Sequence, residues 1–325
     1  MPMAIRFHET GGPEVLRYED VEVGDPGPGQ IRLRQTAIGL NYIDVYHRNG
    51  LYPVASLPSG IGLEAAAVVE AVGPGVRTPT VGERVAYAGG PVGAYSEERL
   101  MPADRVVALP DAISDKQAAA MMLQGMTAQY LLRRTYPVKA GDTVLIHAAA
   151  GGVGLIACQW AKHLGATVIG TVGSDAKAEL ARANGCDHPI VYSREDFVAE
   201  VKRLTGGRGV AVVYDSVGAS TFAGSLDCLR PMGMMVSFGN ASGPVPAFEP
   251  GVLAAKGSLF LTRPTLMTYT ADPDDLRRTA EELFAVVESG AVKIHVNHEY
   301  PLAEAAQAHL DLEARKTTGS TILLP

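Results

Sequence analysis

One segment constrains the chain more than any other. Residues 144–154 read VLIHAAAGGVG, an apolar run that leads straight into Gly151-Gly152-x-Gly154 and then into a helix pattern. Glycines in such a turn let the backbone approach a pyrophosphate, and the helix N-terminus supplies N–H donors and the positive end of a dipole. A glycine-rich turn alone is weak, because a packing turn looks the same. Its weight comes from the residues C-terminal to it. The strand VLIHA is succeeded by a helix over 153–164, the strand TVIGTV, a helix over 175–184, PIVY and a helix over 194–204, with VAVVYDSV and MMVSFGN as further buried strands. Gly165 and Gly185 stand where helix C-caps belong. The pattern predicts an α/β domain, a doubly wound parallel sheet of Rossmann type.

Residues 1–110 read differently, as short β segments such as IRLRQTAI (31–38), AAAVVEAV (65–72) and RVAY (84–87) between Gly- and Pro-rich turns. The expectation there is an all-β domain, with NYIDVYHRNGLY (41–52) as a loop. Ser114 and Gln117 form a capping box that opens a helix, which Gly125 is expected to separate from a second helix ending near Arg134. Beyond residue 265, a helix starting at Pro273 carries Leu276, Ala280, Leu283, Phe284 and Val287 on one face. After it come a β segment, a short helix and the strand TILL. This tail has the texture of the first part, so the β-rich domain is expected to be discontinuous: residues 1–124 and 266–325, with the Rossmann domain, 125–265, inserted between them.

Charge narrows the partners. The 28 Lys and Arg against 35 Asp and Glu leave a net −7 without a basic run, which argues against a nucleic-acid or anionic-membrane surface. The three cysteines, Cys158, Cys186 and Cys228, are too few and too dispersed for a disulfide framework or a CxxC knuckle, and fit a reducing, cytoplasmic setting. The opening MPMAIRFHETGG has no apolar h-region, and the most apolar stretch, 144–172, carries Lys162 and His163. Neither export nor a membrane anchor is expected.

Cofactor selectivity is set about 20 residues beyond the glycine turn, where an acidic residue would hold a ribose 2′-hydroxyl. Here the second strand ends in Gly173-Ser174, and Lys177 stands in the first turn of the next helix, against the helix dipole. A lysine makes sense there beside a phosphate. The reading is NADPH, with Ser174, Lys177 and Tyr192 gathering the 2′-phosphate; its rival has Lys177 as a solvated helix residue and Asp175 as a ribose ligand.

The motifs HAAAGGVGLIACQWAKHLGATVIGTVG, YDSVG, MVSFGN and TRPTL, with NYIDVYHRNGLYP and LPSGIGLEAAAVVEAVGPGV, resemble the zeta-crystallin-like quinone oxidoreductases, a zinc-independent branch of the medium-chain dehydrogenase/reductase superfamily. The resemblance spans the chain. It implies a GroES-like catalytic domain around the inserted Rossmann domain, and a homodimer. As cofactor contacts it implies Thr127, Gly151, Gly152, Val153, Gly173, Ser174, Lys177, Tyr192, Ser216, Phe238, Gly239, Asn240 and Arg315. Asn41, Tyr46 and the segment Arg263-Pro264-Thr265 would lie near the nicotinamide. His47 and Thr265 are positions where this chain is expected to vary from close relatives.

Zinc-dependent members of that superfamily use a Cys, a Gly-His-Glu turn and a four-Cys lobe. This chain has Asn41, Gly62-Leu63-Glu64 and no cysteine before residue 158, so no metal is expected. Hydride transfer is then easiest to an electrophile that accepts electrons unaided, a quinone or a conjugated carbonyl. Negative charge developing on the substrate oxygen needs donors, and Asn41, Tyr46 and Tyr52 are the candidates. Each has a bland counterpart: a tyrosine in a β-rich domain is commonly a half-buried packing residue, Asp44 reads as a turn or network residue, and Glu64 as a structural one. Three alternatives stay open: reduction of α,β-unsaturated ketones or aldehydes, reduction of enoyl thioesters, and a non-catalytic crystallin-like or RNA-binding role. The segment GSLFLTRP (257–264) reads as the outer strand of the cofactor sheet, apolar enough to pair with a second copy.

Overall fold

The computed structural model describes all 325 residues. They form two compact units, one of Met1–Met126, Tyr269–Glu288 and Ile294–Pro325, the other of Thr127–Thr268 with Ser289–Lys293.

The second unit is built on a six-stranded sheet, parallel throughout. Its strand order is His188–Val191, Thr167–Val172, Thr143–Ile146, Val210–Asp215, Leu229–Ser237, Phe260–Thr262. The earliest strand is central and the winding reverses beside it, which is the strand order of a dinucleotide-binding sheet. Every residue of Val210–Asp215 is buried, as expected where helices cover both faces of a parallel sheet. Leu145, Ile169, Val213 and Met235 pack with Phe222 and Leu226 from a covering helix, Phe222–Cys228. Gly165 and Gly185 take φ of 86° and 89° just past their helices, a conformation that disfavours side chains. The helix expected from 194 starts instead at Phe197: Asp196 is the N-cap, its carboxylate accepting from the N–H groups of Val198 and Ala199.

The β-rich unit holds a sheet ordered Val296–Pro301, Ser320–Leu324, Gln30–Leu40, Glu64–Val72, Arg84–Ala88, Val107–Ala108, with Glu98–Pro102 also pairing Gln30–Leu40. A smaller sheet joins Leu16–Asp20, Met3–Phe7 and Ser59–Gly60. Ile5, Phe7, Ile31, Leu33, Ile38, Tyr87 and Leu323 form the core between them.

Three expectations fail here. Residues 41–52 are not a loop: Tyr42–Arg48 is a helix, and Asp44 reaches back to accept from the Asn41 N–H at 2.9 Å. Gly125 does not separate two helices. The break falls at Ala120–Met121, between Asp115–Ala119 and Met122–Tyr130, and Gly125 lies inside the second, where a Cβ would meet Leu283 Cδ1 at 2.5 Å. On Pro273–Glu288, Val286 is buried while Val287 is only half-buried. The Ser114–Gln117 box forms as the spacing predicts.

Candidate active site

Because the six strands run parallel, their C-terminal ends share one edge, and the chain leaving each end carries residues nominated from the sequence. Gly151, Gly152 and Val153 come after the first strand; Gly173 and Ser174 after the second; Tyr192 after the third; Ser216 after the fourth; Phe238, Gly239 and Asn240 after the fifth; Arg263, Pro264 and Thr265 after the sixth. Thr127 is buried on the helix Met122–Tyr130.

At the first strand, Ala148 adopts a left-handed φ of 55° and Gly151 is the N-cap of Gly152–His163, with no side chain capping that helix. A Cβ on Gly154 would overlap the Ala148 carbonyl oxygen, so glycine is what allows the helix to close on the turn that leads into it. The first-turn N–H groups have no intrahelical partner, and a helix N-terminus of this kind can take an anion.

At the second strand, Ser174 caps Asp175–Ala183 and accepts from the Lys177 N–H at 3.4 Å. Tyr192 is half exposed, its hydroxyl 3.0 Å from where a Cβ on Gly173 would stand. Asp175 is engaged by Arg194, which donates to both carboxylate oxygens at 2.6 and 2.7 Å. These hydrogen bonds hold the Asp175 carboxyl below the usual carboxylate range.

Behind the fourth strand lies a network with no signature in the local sequence. Buried Asp215 accepts from the N–H groups of Val217 and Gly218 and from the hydroxyls of Thr221 and Ser225, fixing the turn that carries Ser216. Ser225 gives its one proton to Asp215, so it accepts from His147 Nε2 at 2.9 Å, and His147 Nδ1 accepts from Thr171 at 2.8 Å. Burial favours this neutral imidazole, lowering its pKa against the opposing pull of Asp215.

The β-rich unit carries the remaining candidates. Asn41 is buried at the start of Tyr42–Arg48. Its Nδ2 donates to Glu64 at 2.6 Å and its Oδ1 accepts from Gln124 at 3.1 Å, which leaves the second N–H of the amide. Glu64 also accepts from the Leu123 N–H at 2.7 Å, and Ser320 donates to Gln124 at 2.7 Å. Burial pushes the Glu64 carboxyl up to about 8 and that of Asp44 up to about 7. A Cβ on Gly39, opposite Glu64 in the sheet, would overlap that carboxylate. Tyr46, 6% exposed, packs edge-on against Tyr52, centroids 5.1 Å apart, and the Tyr52 N–H donates to the Tyr46 carbonyl. Arg315 takes a φ of 59° just past the helix Ala305–Glu313.

Asp44 also accepts from the Tyr95 hydroxyl at 2.9 Å. Arg48 can only donate, so His309 Nδ1 accepts from it at 2.9 Å and His309 Nε2 carries the proton toward Tyr95 at 3.2 Å. No local motif signals this run of hydrogen bonds, whose members come from separate segments. No group of three or more His, Cys, Asp or Glu side chains converges to hold a metal ion, and no helix is long and apolar enough to cross a membrane.

Two family models match: the alcohol dehydrogenase GroES-like domain over residues 27–111 and the zinc-binding dehydrogenase family over 152–283. A quinone oxidoreductase of Pseudomonas aeruginosa is 55% identical, with all of both chains covered. A 2-haloacrylate reductase from a Burkholderia species is 52% identical over all of this chain and 99% of its own. The crystal structure of Escherichia coli quinone oxidoreductase complexed with NADPH superposes with a TM-score of 0.98 at 50% identity, covering 99% of this chain and all of that one. Likeness of this extent runs through both units, from the GroES-like sheet to the last parallel strand, and places the chain in the quinone oxidoreductase family of the medium-chain dehydrogenase/reductase superfamily.

Proposed function

We propose that the chain is an NADPH-dependent quinone reductase that works without a metal. The observation that carries the reading is the end of the second strand, where Ser174 caps the next helix through the Lys177 N–H, the Tyr192 hydroxyl lies against Gly173, and the carboxylate of Asp175 is already held by Arg194. NADPH fits the residues present: a helix N-terminus without a side-chain cap, and a glycine pressed against the turn that leads into the helix. When bound, it supplies the hydride.

The chain's own residues then hold and orient. Gly151, whose N–H closes the turn on Ala148 O, lets the backbone approach the pyrophosphate, which the N–H groups of Gly152 and Val153 face, and Ser174, Lys177 and Tyr192 take the 2′-phosphate. Thr127, Gly173, Ser216, Phe238, Gly239, Asn240 and Arg315 complete the nucleotide contacts, with Arg263, Pro264 and Thr265 beside the nicotinamide. In the β-rich unit, Glu64 and Gln124 fix the Asn41 amide so that its second N–H, with Tyr46 and Tyr52, stabilises the charge developing on the substrate oxygen. We assign residues 1–124 and 266–325 to the catalytic domain and 125–265 to the cofactor domain, working in the cytoplasm as a homodimer. The dimer reading is supported by Phe260–Thr262, an edge strand whose Phe260 is 58% exposed.

A second reading, reduction of a conjugated C=C bond, is favoured by the haloacrylate-reducing relative. NADPH oxidation measured with 1,4-benzoquinone, 9,10-phenanthrenequinone, an alkenone, an enoyl thioester and 2-chloroacrylate separates the two. Turnover of the quinones is expected; turnover confined to the others would replace the first reading with the second. In the same assay Lys177→Ala should lose about tenfold in NADPH-over-NADH preference, the scale of one lost phosphate contact. An unchanged preference would count against the 2′-phosphate site.

A further inference from the structure

In the cofactor sheet, Val172 of the second strand pairs with Val191 of the third in parallel register. Three residues beyond each lie Asp175 and Arg194, so equal steps bring an acid and a guanidinium together at the strand ends. Asp175 is the first residue of Asp175–Ala183, directly after the Ser174 cap. It stands about 20 residues beyond the glycine turn, where a carboxylate in this fold takes the adenosine ribose hydroxyls. Sequence alone would allow it that role. Arg194 closes on it in the two-toothed geometry that makes guanidinium–carboxylate pairs specific, one nitrogen on each oxygen.

We infer that Arg194 is a specificity-determining residue: by holding both oxygens of Asp175, it withdraws that acid from the ribose and cancels its charge beside the 2′-phosphate, so that the phosphorylated cofactor is favoured. This rests on the NADPH reading and deepens it. The two side chains are 74% and 55% exposed, so neither belongs to the core and replacing either leaves the packing of the unit untouched. The selectivity arises in two steps. An Asp175 without its partner would offer two acceptors to unmodified ribose hydroxyls, which favours NADH. Its uncancelled charge would also oppose the anion that Lys177 attracts, which disfavours NADPH.

The test is a double-mutant cycle on the full chain. Dissociation constants for NADPH and NADH are titrated on wild type, Arg194→Ala, Asp175→Asn and the double variant, at low and high salt. Arg194→Ala should lower the NADPH-over-NADH ratio by about tenfold, within the range of coupling between contacting charges. In the Asp175→Asn background the same change should move the ratio less than about twofold, and high salt should shrink the first effect because the pair is exposed. An unchanged ratio in Arg194→Ala overturns the assignment while leaving the NADPH reading intact. A loss as large in the Asp175→Asn background also overturns it, since Arg194 would then act on the phosphate directly. Equal affinity of wild type for the two cofactors removes the reading and the assignment together.

Discussion

Two buried carboxyl groups flank Asn41, Asp44 through its N–H and Glu64 through its amide. Burial pushes the first up to about 7 and the second up to about 8, and Asp44 adds to the rise at Glu64. Both values lie above the ordinary carboxylate pKa of about 4, so the folded state binds protons that the unfolded chain has released. The stability they contribute is complete below about pH 4 and is lost as pH rises through about 8. The thermal midpoint of the wild type should therefore fall by a few degrees between about pH 6 and pH 9, and Glu64→Gln should flatten that slope; differential scanning fluorimetry across pH reads both, and an equally steep slope in the variant would refute the assignment. Asn41 was legible in the sequence, but its partners were not: Gln124 lies 83 residues away, and Ser320 a further 196 from Gln124. No local pattern encodes such a contact, because only the finished β-rich unit, with the helix Met122–Tyr130 packed in place, brings the groups together.

At the scale of elements, Arg48 joins the helix Tyr42–Arg48 to Ala305–Glu313. It donates to Gly11 O and His309 Nδ1 and to both oxygens of Glu313, while only 1% exposed. Removing it strands a half-buried carboxylate and two acceptors. Arg48→Ala should cost roughly 3–5 kcal/mol in the β-rich unit, measured by urea unfolding; a cost within the surface range of about 0.5 kcal/mol would show the contacts to be dispensable. His309, pushed down to about 3 by burial and the neighbouring guanidinium, stays neutral in the fold while the unfolded chain takes up a proton below about pH 6.5, so it favours unfolding only as pH falls and leaves the loss above neutrality to the carboxyls. The alternating elements of the Rossmann sheet were readable because each satisfies its own periodicity. The helix Tyr42–Arg48 was not: seven residues are too few to establish a 3.6 period, and its aromatic, β-branched composition reads as extended chain. Gly125 misled for the opposite reason. A mid-helix glycine looks like a break, and its actual role, clearance for Leu283, depends on a helix far along the chain.

At the scale of the molecule, the proposed dimer gives a direct expectation. Phe260→Asp places a charge on the exposed edge strand without entering the core. Light scattering should give twice the chain mass of 34.2 kDa for the wild type and a single chain mass for the variant. A wild type at the single mass would remove the dimer; an undisturbed dimer in the variant would move its interface elsewhere. The division into two units also bears on how the protein is made. The strand Ser320–Leu324 is not at the margin of its sheet but lies between Val296–Pro301 and Gln30–Leu40, pairing Thr321, Ile322 and Leu323 with Leu40, Gly39 and Ile38. On the ribosome, Gln30–Leu40 therefore waits for a strand made much later. Until Ser320–Leu324 emerges, the newborn β-rich unit holds an open slot beside Gln30–Leu40, while the inserted unit already has all its strands. Between the synthesis of Gln30–Leu40 and that of Ser320–Leu324 the nascent chain should thus present an unpaired strand edge, an interval in which a chaperone has something to bind.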